Sequence, residues 1–302
     1  MDEQTLRRVE AELNELTSSG ADLHRNATMA TYVLGRPLPI EQLRAQRLLL
    51  DELLAEGDGD IEKGGLAAII TAGPPGAGKT TARKALGMGG LGWRVIDADE
   101  IKVRLLEAAV QDGRFDSVFT RTLADGYPVM PNEISTLVHN ESVDLANRLI
   151  ERSLEAQENV VIEGTLSWEG LPQRYLKWLE LNDYNTVTVF DVEVDRETAL
   201  EQAYKRWAEG RIGTINGTHI RGGRFTPKEA ITSLYDETGR HSKCNQNAVD
   251  FFNSPAAAGF GTLELLVTTP DTEEPRTYQR LVGKHSGTPP VYLQDAEVLP
   301  EN

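Results

Sequence analysis

A glycine-rich segment at residues 73–80 matches the pattern G-x-x-x-x-G-K-[ST] at every fixed position. Glycines at these places let several backbone N–H groups point at one anion, because no Cβ atom obstructs them. A lysine with this spacing reaches the β- and γ-phosphates of a nucleoside triphosphate, and the hydroxyl that follows it holds Mg²⁺. The sequence therefore predicts an ATP-binding phosphate loop, with Thr80 as the metal ligand. The predicted binding residues are Gly73, Pro74, Pro75, Gly76, Ala77, Gly78, Lys79, Thr80 and Thr81.

A phosphoryl transfer to a hydroxyl group also needs a carboxylate that can accept the hydroxyl proton. Asp99 comes two residues after the short apolar segment Trp93–Asp97, which has the pattern of a buried strand. Because ligands bind beyond the carboxyl ends of parallel strands, we expect Asp99 to face the phosphate loop and act as a general base. The alternative is that Asp99 only caps the helix that follows, a role that we favour for Asp97.

Two further carboxylates are candidates for ligand contact. Glu163 ends the apolar segment Asn159–Glu163 and is followed by Gly164 and Thr165. A glycine at a strand end permits close ligand approach, so we predict that Glu163 and Thr165 contact the substrate or a water on Mg²⁺. Glu141 falls within an apolar helical stripe and needs a partner there. Substrate contact, an internal salt bridge and an exposed stripe edge all remain open for Glu141.

Arginine side chains cluster around a glycine-rich stretch at residues 210–227. The stretch is predicted to be a mobile lid that folds over the triphosphate. We expect Arg206 and Arg224 to stabilise the charge on the transferred group, as an arginine finger does. Arg211 and Arg221 are weaker candidates for the same role. The alternative for each of these arginines is a solvated surface charge.

Short apolar strands alternate with helical patterns between residues 66 and 267. Such alternation gives right-handed β-α-β crossovers and a mainly parallel sheet flanked by helices. We therefore predict an α/β fold of the P-loop kinase type. The predicted strands are Leu66–Ile70, Trp93–Asp97, Asn159–Glu163, Thr186–Val192 and Thr262–Val267. The predicted helices between them are Asp99–Val110, Glu133–Gln157, Pro172–Leu181 and Asp195–Glu209.

The two ends of the chain have a different character from the middle. Residues 1–60 have helical periodicity and end in the polar, glycine-rich segment at residues 57–60. They are predicted to form an N-terminal helical extension, which precedes a kinase domain at residues 61–283. Residues 284–302 are rich in glycine, proline and acidic side chains and are predicted to form a loose tail.

The charge balance narrows the class of partner. Acidic residues outnumber basic ones by 47 to 31, which gives a formal net charge of −16. Proteins that bind nucleic acids or anionic membranes present basic surfaces, so neither partner is expected. No apolar run approaches the ~18 residues of a membrane span, and the first residues lack the apolar core of a signal peptide. The single cysteine, Cys244, fits a reducing cytoplasm, which is the expected location.

The motifs named above, taken in their order, resemble those of the zeta-toxin kinases over about residues 64–270. The resemblance rests on residues 73–80, Asp97-Ala98-Asp99, Glu163-Gly164-Thr165, Arg206 and Gly223-Arg224-Phe225-Thr226-Pro227-Lys228. It implies phosphorylation of the 3′-hydroxyl of UDP-N-acetylglucosamine, a nucleotide-sugar substrate. By motif matching, Asp99 takes the position of the base and Lys79 that of the phosphate lysine. Arg206 and Arg224 take the positions of the phosphate-clamping arginines. The resemblance also implies a helical antitoxin as a partner.

Several alternatives remain open at the level of sequence. Asn147 stands where some members of the family carry a substrate-binding glutamate, so either Glu141 takes that role or the acceptor differs. The acceptor would then be NAD or another metabolite. A third alternative is an ATP-binding regulatory switch without a metabolite acceptor. Residues 1–60 are expected either to inhibit in cis beside the nucleotide site or to act as a stabilising helical cap.

Overall fold

A computed structural model describes residues 1–269, 276–281 and 291–292. The chain divides into two compact units, each formed from segments that are distant in sequence. The helical unit comprises residues 1–50, 98–147 and 200–233, and the sheet unit comprises residues 51–97, 148–199 and the described residues after 233. The domain boundaries expected at residues 60 and 283 remain predictions.

The strands all belong to the sheet unit. They are β1 Ala67–Ala72, β2 Arg94–Asp97, β3 Val160–Glu163, β4 Thr186–Val192, β5 Thr262–Thr268, β6 Arg276–Leu281 and β7 Val291–Tyr292. They form one sheet in the order β2-β3-β1-β4-β5-β6-β7. The first five strands of that order are parallel, and β6 and β7 add antiparallel pairings at one edge. The predicted α/β fold with a mainly parallel sheet is confirmed.

Some helices connect successive strands of the sheet, and others form the helical unit. They are α1 Glu3–Thr17, α2 Ile40–Ala55, α3 Lys79–Ala85, α4 Ala98–Gln111, α5 Asp116–Phe119, α6 His139–Glu155, α7 Leu171–Leu181, α8 Arg196–Ile215, α9 Lys228–Thr232 and α10 Lys243–Asn253. Pro131–Val138 and Pro255–Gly259 are 3₁₀ helices. No helix in the described part of the chain is both long enough and apolar enough to cross a membrane.

Strand β1 lies at the centre of the sheet, between β3 and β4. Its side chains from Ala68 onwards are buried, as expected for a strand covered on both faces. Gly73 follows β1 directly, so the glycine-rich segment emerges at the carboxyl edge of the sheet, beside the ends of both neighbouring strands. This is the edge at which open α/β sheets bind their ligands.

The first helix of the chain is part of the core of the helical unit. Leu6, Val9 and Leu13 recur at helical spacing on α1 and are buried. They belong to one cluster with Trp207 and Phe225. Residues at the N-terminus therefore supply core side chains, which supports the stabilising alternative for this segment over an inhibitory one.

Replacing Leu13 by alanine is expected to lower the free energy of unfolding by about 2–5 kcal/mol, because the side chain is fully buried and its removal leaves a cavity. Chemical denaturation would measure the loss. The matched control is Leu48→Ala on α2, where 64% of the leucine is exposed, and this change should cost far less. Equal effects of the two substitutions would mean that α1 does not contribute to a cooperative core.

The predicted lid between residues 210 and 227 is wrong in its first part, because α8 continues to Ile215. The glycines there serve close packing rather than flexibility. A Cβ atom on Gly210 would overlap the backbone of Gly223, and one on Gly213 would lie 2.9 Å from Cγ of His219. The chain after α8 thus folds back onto the helix at points where glycine is required. The loose tail predicted at residues 284–302 lies outside the described residues, except for 291–292.

Candidate functional site

The glycine-rich segment adopts a conformation that needs its glycines. Gly73, Gly76 and Gly78 have φ angles of 126°, 91° and 81°, in the region that side chains rarely adopt. A Cβ atom on Gly73 would also overlap the carbonyl oxygen of Val192 at the end of β4. The segment is therefore shaped as a concave backbone loop between two strand ends, which suits a phosphate group.

Lys79 turns back over this loop. Its Nζ donates hydrogen bonds to the carbonyl oxygens of Gly73 and Pro74, both at 2.9 Å. Phosphate oxygens can accept the same hydrogen bonds, and an ammonium group carries the charge to hold them. The geometry of Lys79 is thus compatible with its predicted role as the phosphate lysine.

Glu163 organises the side chains next to the loop. Its Oε2 accepts a hydrogen bond from the Thr80 hydroxyl at 2.6 Å, and its Oε1 accepts from Nε and Nη2 of Arg83 at 2.8 and 2.6 Å. Glu163 and Arg83 are almost wholly buried, whereas Thr80 is exposed. A threonine hydroxyl fixed by a carboxylate is a donor set that suits Mg²⁺ together with phosphate oxygens and water.

The segment after β3 is tied to the phosphate loop. The carbonyl oxygen of Thr165 accepts a hydrogen bond from the Gly73 amide at 3.1 Å, and the Thr165 hydroxyl donates to Ser167 Oγ at 2.8 Å. Asn247 on α10 donates to the carbonyl oxygen of Leu166 at 2.7 Å. The structure thus brings Lys79, Thr80, Glu163 and Thr165 together in the sheet unit.

Two acidic residues lie at the end of β4, the buried Asp191 and the partly buried Glu193 that follows the strand. Asp191 is fully buried, accepts a hydrogen bond from Asn245 Nδ2 at 2.5 Å, and has no hydrogen-bond partner for Oδ1 in the described chain. Burial raises the pKa of Asp191 to about 6, against the opposing effects of Asn245 and the charge of Lys79. Burial and the neighbouring Asp191 raise the pKa of Glu193 to about 8, although Glu193 accepts two hydrogen bonds from Ser242.

The raised pKa of Glu193 predicts a pH-dependent stability. The folded state holds its proton up to about pH 8, whereas the ordinary pKa is 4.5, so the free energy of unfolding should fall as the pH rises between these values. The loss is on the order of a few kcal/mol. Glu193→Gln, which cannot ionise, should flatten this fall in denaturant unfolding measured at pH 5 and pH 8. The control is Glu180→Gln at an exposed position of α7, and an unchanged slope in Glu193→Gln would contradict the prediction.

The candidate base belongs to the helical unit. Asp99 lies in the first turn of α4, where Oδ1 accepts a hydrogen bond from Lys102 Nζ at 2.8 Å and Oδ2 pairs with Arg224. Desolvation on its own would raise the pKa of Asp99, but Lys102 and Arg224, together with Arg206, outweigh it and hold the pKa well below its ordinary value. Asp99 is therefore ionised at neutral pH, and the structure brings it together with both predicted clamp arginines.

The other arginines of the predicted lid have structural partners. Arg211 is fully buried and pairs with Asp125 and Glu133 at 2.7–2.8 Å. Arg221 is half-exposed and pairs with Glu107. These contacts account for both side chains without a ligand.

Glu141 is buried on α6 and has amide partners. Its Oε1 accepts hydrogen bonds from Nε2 of Gln42 at 3.0 Å and of Gln46 at 2.8 Å. These bonds satisfy the need for a partner that the apolar stripe imposed. Its assignment to the substrate remains a prediction, as do the roles of the other site residues. Glu141 and Asp99 belong to the helical unit, and Lys79 and Glu163 to the sheet unit.

Sequence reasoning missed Arg83 and the pair Asp191 and Glu193. A signal existed for Arg83, which follows Lys79 by four residues and so shares its face of α3. For Asp191 the signal was an acidic residue between the apolar Phe190 and Val192 of a strand, a place that demands a buried partner.

The comparison with protein families agrees with the motifs. A family model described as zeta toxin matches residues 62–249. No curated protein matches the chain. Among solved structures, one from the PezAT chromosomal toxin-antitoxin system of the human pathogen Streptococcus pneumoniae has a TM-score of 0.48 at 15% identity, with 80% of this chain and 81% of that chain covered. A complex of AvrRxo1-ORF1 and AvrRxo1-ORF2 with sulphate ions has a TM-score of 0.48 at 20% identity. The match covers 82% of this chain and 70% of that chain.

Proposed function

The chain belongs to the zeta-toxin family and is P-loop kinase-like, and we propose from this premise that it transfers the γ-phosphoryl group of ATP to a hydroxyl group of a small molecule. The observation that carries the proposal is the set of contacts around the phosphate loop. Lys79 lies over the loop, and Glu163 fixes the hydroxyl of Thr80. A loop without a nucleotide function has no need for this combination.

In this proposal the phosphate loop binds the triphosphate, and Lys79 neutralises its β- and γ-oxygens. Thr80 would hold Mg²⁺, with Glu163 ordering a water in its coordination shell. The ion supplies neutralisation of the charge that develops on the transferred group. Arg83 holds Glu163 in place by its two hydrogen bonds.

We assign the acceptor as UDP-N-acetylglucosamine, phosphorylated at the 3′-hydroxyl. The acceptor oxygen forms a bond to the γ-phosphorus, the bond from that phosphorus to the bridging oxygen breaks, and ADP leaves. Asp99 accepts the hydroxyl proton in its ionised form, and it becomes a stronger base when the charge of Arg224, which lowers its pKa, is taken up by a phosphate. Arg206 and Arg224 would stabilise the transferred group, while Thr165 and Glu141 would contact the acceptor. When Arg224 binds a phosphate, it releases Asp99 from their shared ion pair.

The test is incubation of the protein with ATP, Mg²⁺ and UDP-N-acetylglucosamine, followed by mass spectrometry of the sugar nucleotide. A product heavier by one phosphate is expected, and Asp99→Asn should lower turnover by about 10²–10⁴-fold. Phosphorylation of NAD or another metabolite in its place would reject the acceptor and keep the class. Binding of Mg·ATP without any phosphorylated metabolite would favour the regulatory switch.

Family membership also motivates a helical antitoxin as the partner that keeps this activity silent. Expression of the chain alone in bacteria should then arrest growth, and Asp99→Asn should relieve the arrest. Normal growth with an active, folded protein would remove the reason to expect an antitoxin.

A further inference from the structure

A large aromatic side chain is exposed in the segment that follows the end of β3. Trp168 lies between β3 and α7, three residues after Thr165, and 53% of it is exposed. Tryptophan is usually covered in a folded protein, because burial of its large apolar surface is favourable. The backbone around it is anchored, since Thr165 bonds to Gly73 and Leu166 bonds to Asn247. Trp168 is therefore a fixed feature of the ligand edge of the sheet.

Arg174 stacks on the exposed ring of Trp168. The guanidinium of Arg174 on α7 lies 4.8 Å from the centroid of the Trp168 ring and 5.7 Å from that of Trp178. Within the residues that the structure describes, no carboxylate pairs with Arg174, although acidic residues far outnumber basic ones in the chain. A cation that stacks on aromatic rings and keeps its hydrogen-bond donors available is suited to a phosphate or diphosphate group.

Gly170, which precedes α7, leaves the space that the Trp168 ring occupies. A Cβ atom on Gly170 would overlap the six-membered ring of Trp168, so this position must be glycine for the indole to lie where it does. The backbone N–H of Leu171 also donates to the carbonyl oxygen of Trp168 at 2.9 Å. The turn therefore fixes the main chain around Trp168 and leaves room for its ring.

Trp168 and Arg174 follow β3, and this place in the sheet indicates which ligand they would contact. Glu163, at the end of β3, fixes the hydroxyl of Thr80, which in the proposed function would hold the Mg²⁺ ion that neutralises the phosphates. A group that binds on the β3 side would therefore lie near the phosphates of a bound triphosphate, where the acceptor is needed. On the β4 side Asp191 is fully buried and Glu193 bonds to Ser242, so neither residue presents a cation or an exposed ring to a nucleotide.

We propose that Trp168 and Arg174 bind the nucleotide part of the acceptor, with the base stacked on the exposed indole and the diphosphate bound by the guanidinium. The proposal rests on the proposed kinase function and specifies the substrate class as a nucleoside diphosphate derivative. Stacking of a base on an aromatic side chain changes affinity by about tenfold to a hundredfold when the side chain is removed. Trp168 then determines acceptor specificity.

The experiment measures binding of UDP and of Mg·ATP separately by calorimetry, to the full chain and to Trp168→Ala, Trp168→Phe and Arg174→Met. We expect Trp168→Ala and Arg174→Met to weaken UDP at least about tenfold with Mg·ATP binding unchanged, and Trp168→Phe to retain most of the affinity. In the kinase assay the same two variants should raise KM for the acceptor and leave KM for ATP unchanged. The matched control is Trp93→Ala, another tryptophan of the sheet unit, and thermal unfolding checks that each variant is folded.

Three outcomes would overturn the inference. In the first, UDP binds Trp168→Ala and Arg174→Met as tightly as it binds the wild type. In the second, Trp168→Ala weakens the binding of Mg·ATP and not that of UDP. In the third, the wild type binds Mg·ATP but not UDP. The last outcome leaves the kinase proposal intact. A wild type that fails to bind Mg·ATP but binds UDP through Trp168 would instead overturn the kinase proposal and keep the nucleotide-binding surface.

Discussion

Replacing Lys79 by methionine should reduce phosphoryl transfer by at least about 10²–10³-fold, the usual cost of removing one preorganised charge from a transition state. Methionine keeps the length and apolar stem of the side chain but loses the ammonium group that lies over the carbonyl oxygens of Gly73 and Pro74. The charge that develops on the γ-phosphoryl oxygens would then have no cationic partner within the loop. Initial rates at saturating ATP and acceptor would measure the loss.

Lys84→Met provides the matched control, because Lys84 is an exposed lysine on the same short helix. It should retain nearly full activity. Thermal unfolding of Lys79→Met should show a folded protein, so that lost activity reflects lost chemistry. Retention of more than a tenth of the wild-type rate would show that Lys79 does not hold the transferred phosphate.

Replacing Arg211 by methionine should lower the free energy of unfolding by about 3–5 kcal/mol, the range for breaking a buried ion pair on one side. Arg211, Asp125 and Glu133 are all inaccessible to solvent. Arg211 donates to both carboxylates, and Glu133 also accepts a hydrogen bond from the Trp207 indole at 2.8 Å. Without the guanidinium, two carboxylates would remain buried with no cation.

The deficit should depend on pH in a defined direction. Burial raises the pKa of Glu133 even with Arg211 present, and removal of the arginine would raise it further. An acid with a raised folded-state pKa costs stability as the pH rises, so the variant should be closer to the wild type at pH 5 than at pH 8. Unfolding midpoints in urea at the two pH values would measure this difference.

Two further variants separate the causes. Arg221→Met removes a half-exposed pair with Glu107 and should cost less than about 1 kcal/mol. Adding Glu133→Gln to Arg211→Met should restore part of the lost stability, because it removes one of the stranded charges. If Arg211→Met unfolds at the wild-type midpoint, Arg211 is not the charge that stabilises this part of the core.

The sheet could be predicted from the sequence, because a buried parallel strand has a local signature in its apolar run and the turn that follows. The predicted bounds of Thr186–Val192 are those observed for β4. The glycines of residues 210–213 misled the prediction, because glycine permits both flexibility and close packing and only the folded chain distinguishes the two. For the site, the spacing of residues 73–80 was enough to predict a phosphate loop, but the bond from Arg83 to Glu163 joins residues 80 positions apart. No local pattern encodes such a pair.

The backbone contact between Gly223 and α8 sets limits on how this protein can vary among its relatives. A methyl group on Gly223 would overlap the carbonyl of Trp207, and Arg224 follows at the next position. The position of Arg224 relative to α8 is therefore set by the main-chain contact at Gly223. Side-chain changes at the exposed Asn216 and Ile220 can accumulate during evolution without displacing the guanidinium, whereas any side chain at position 210 or 223 would displace it.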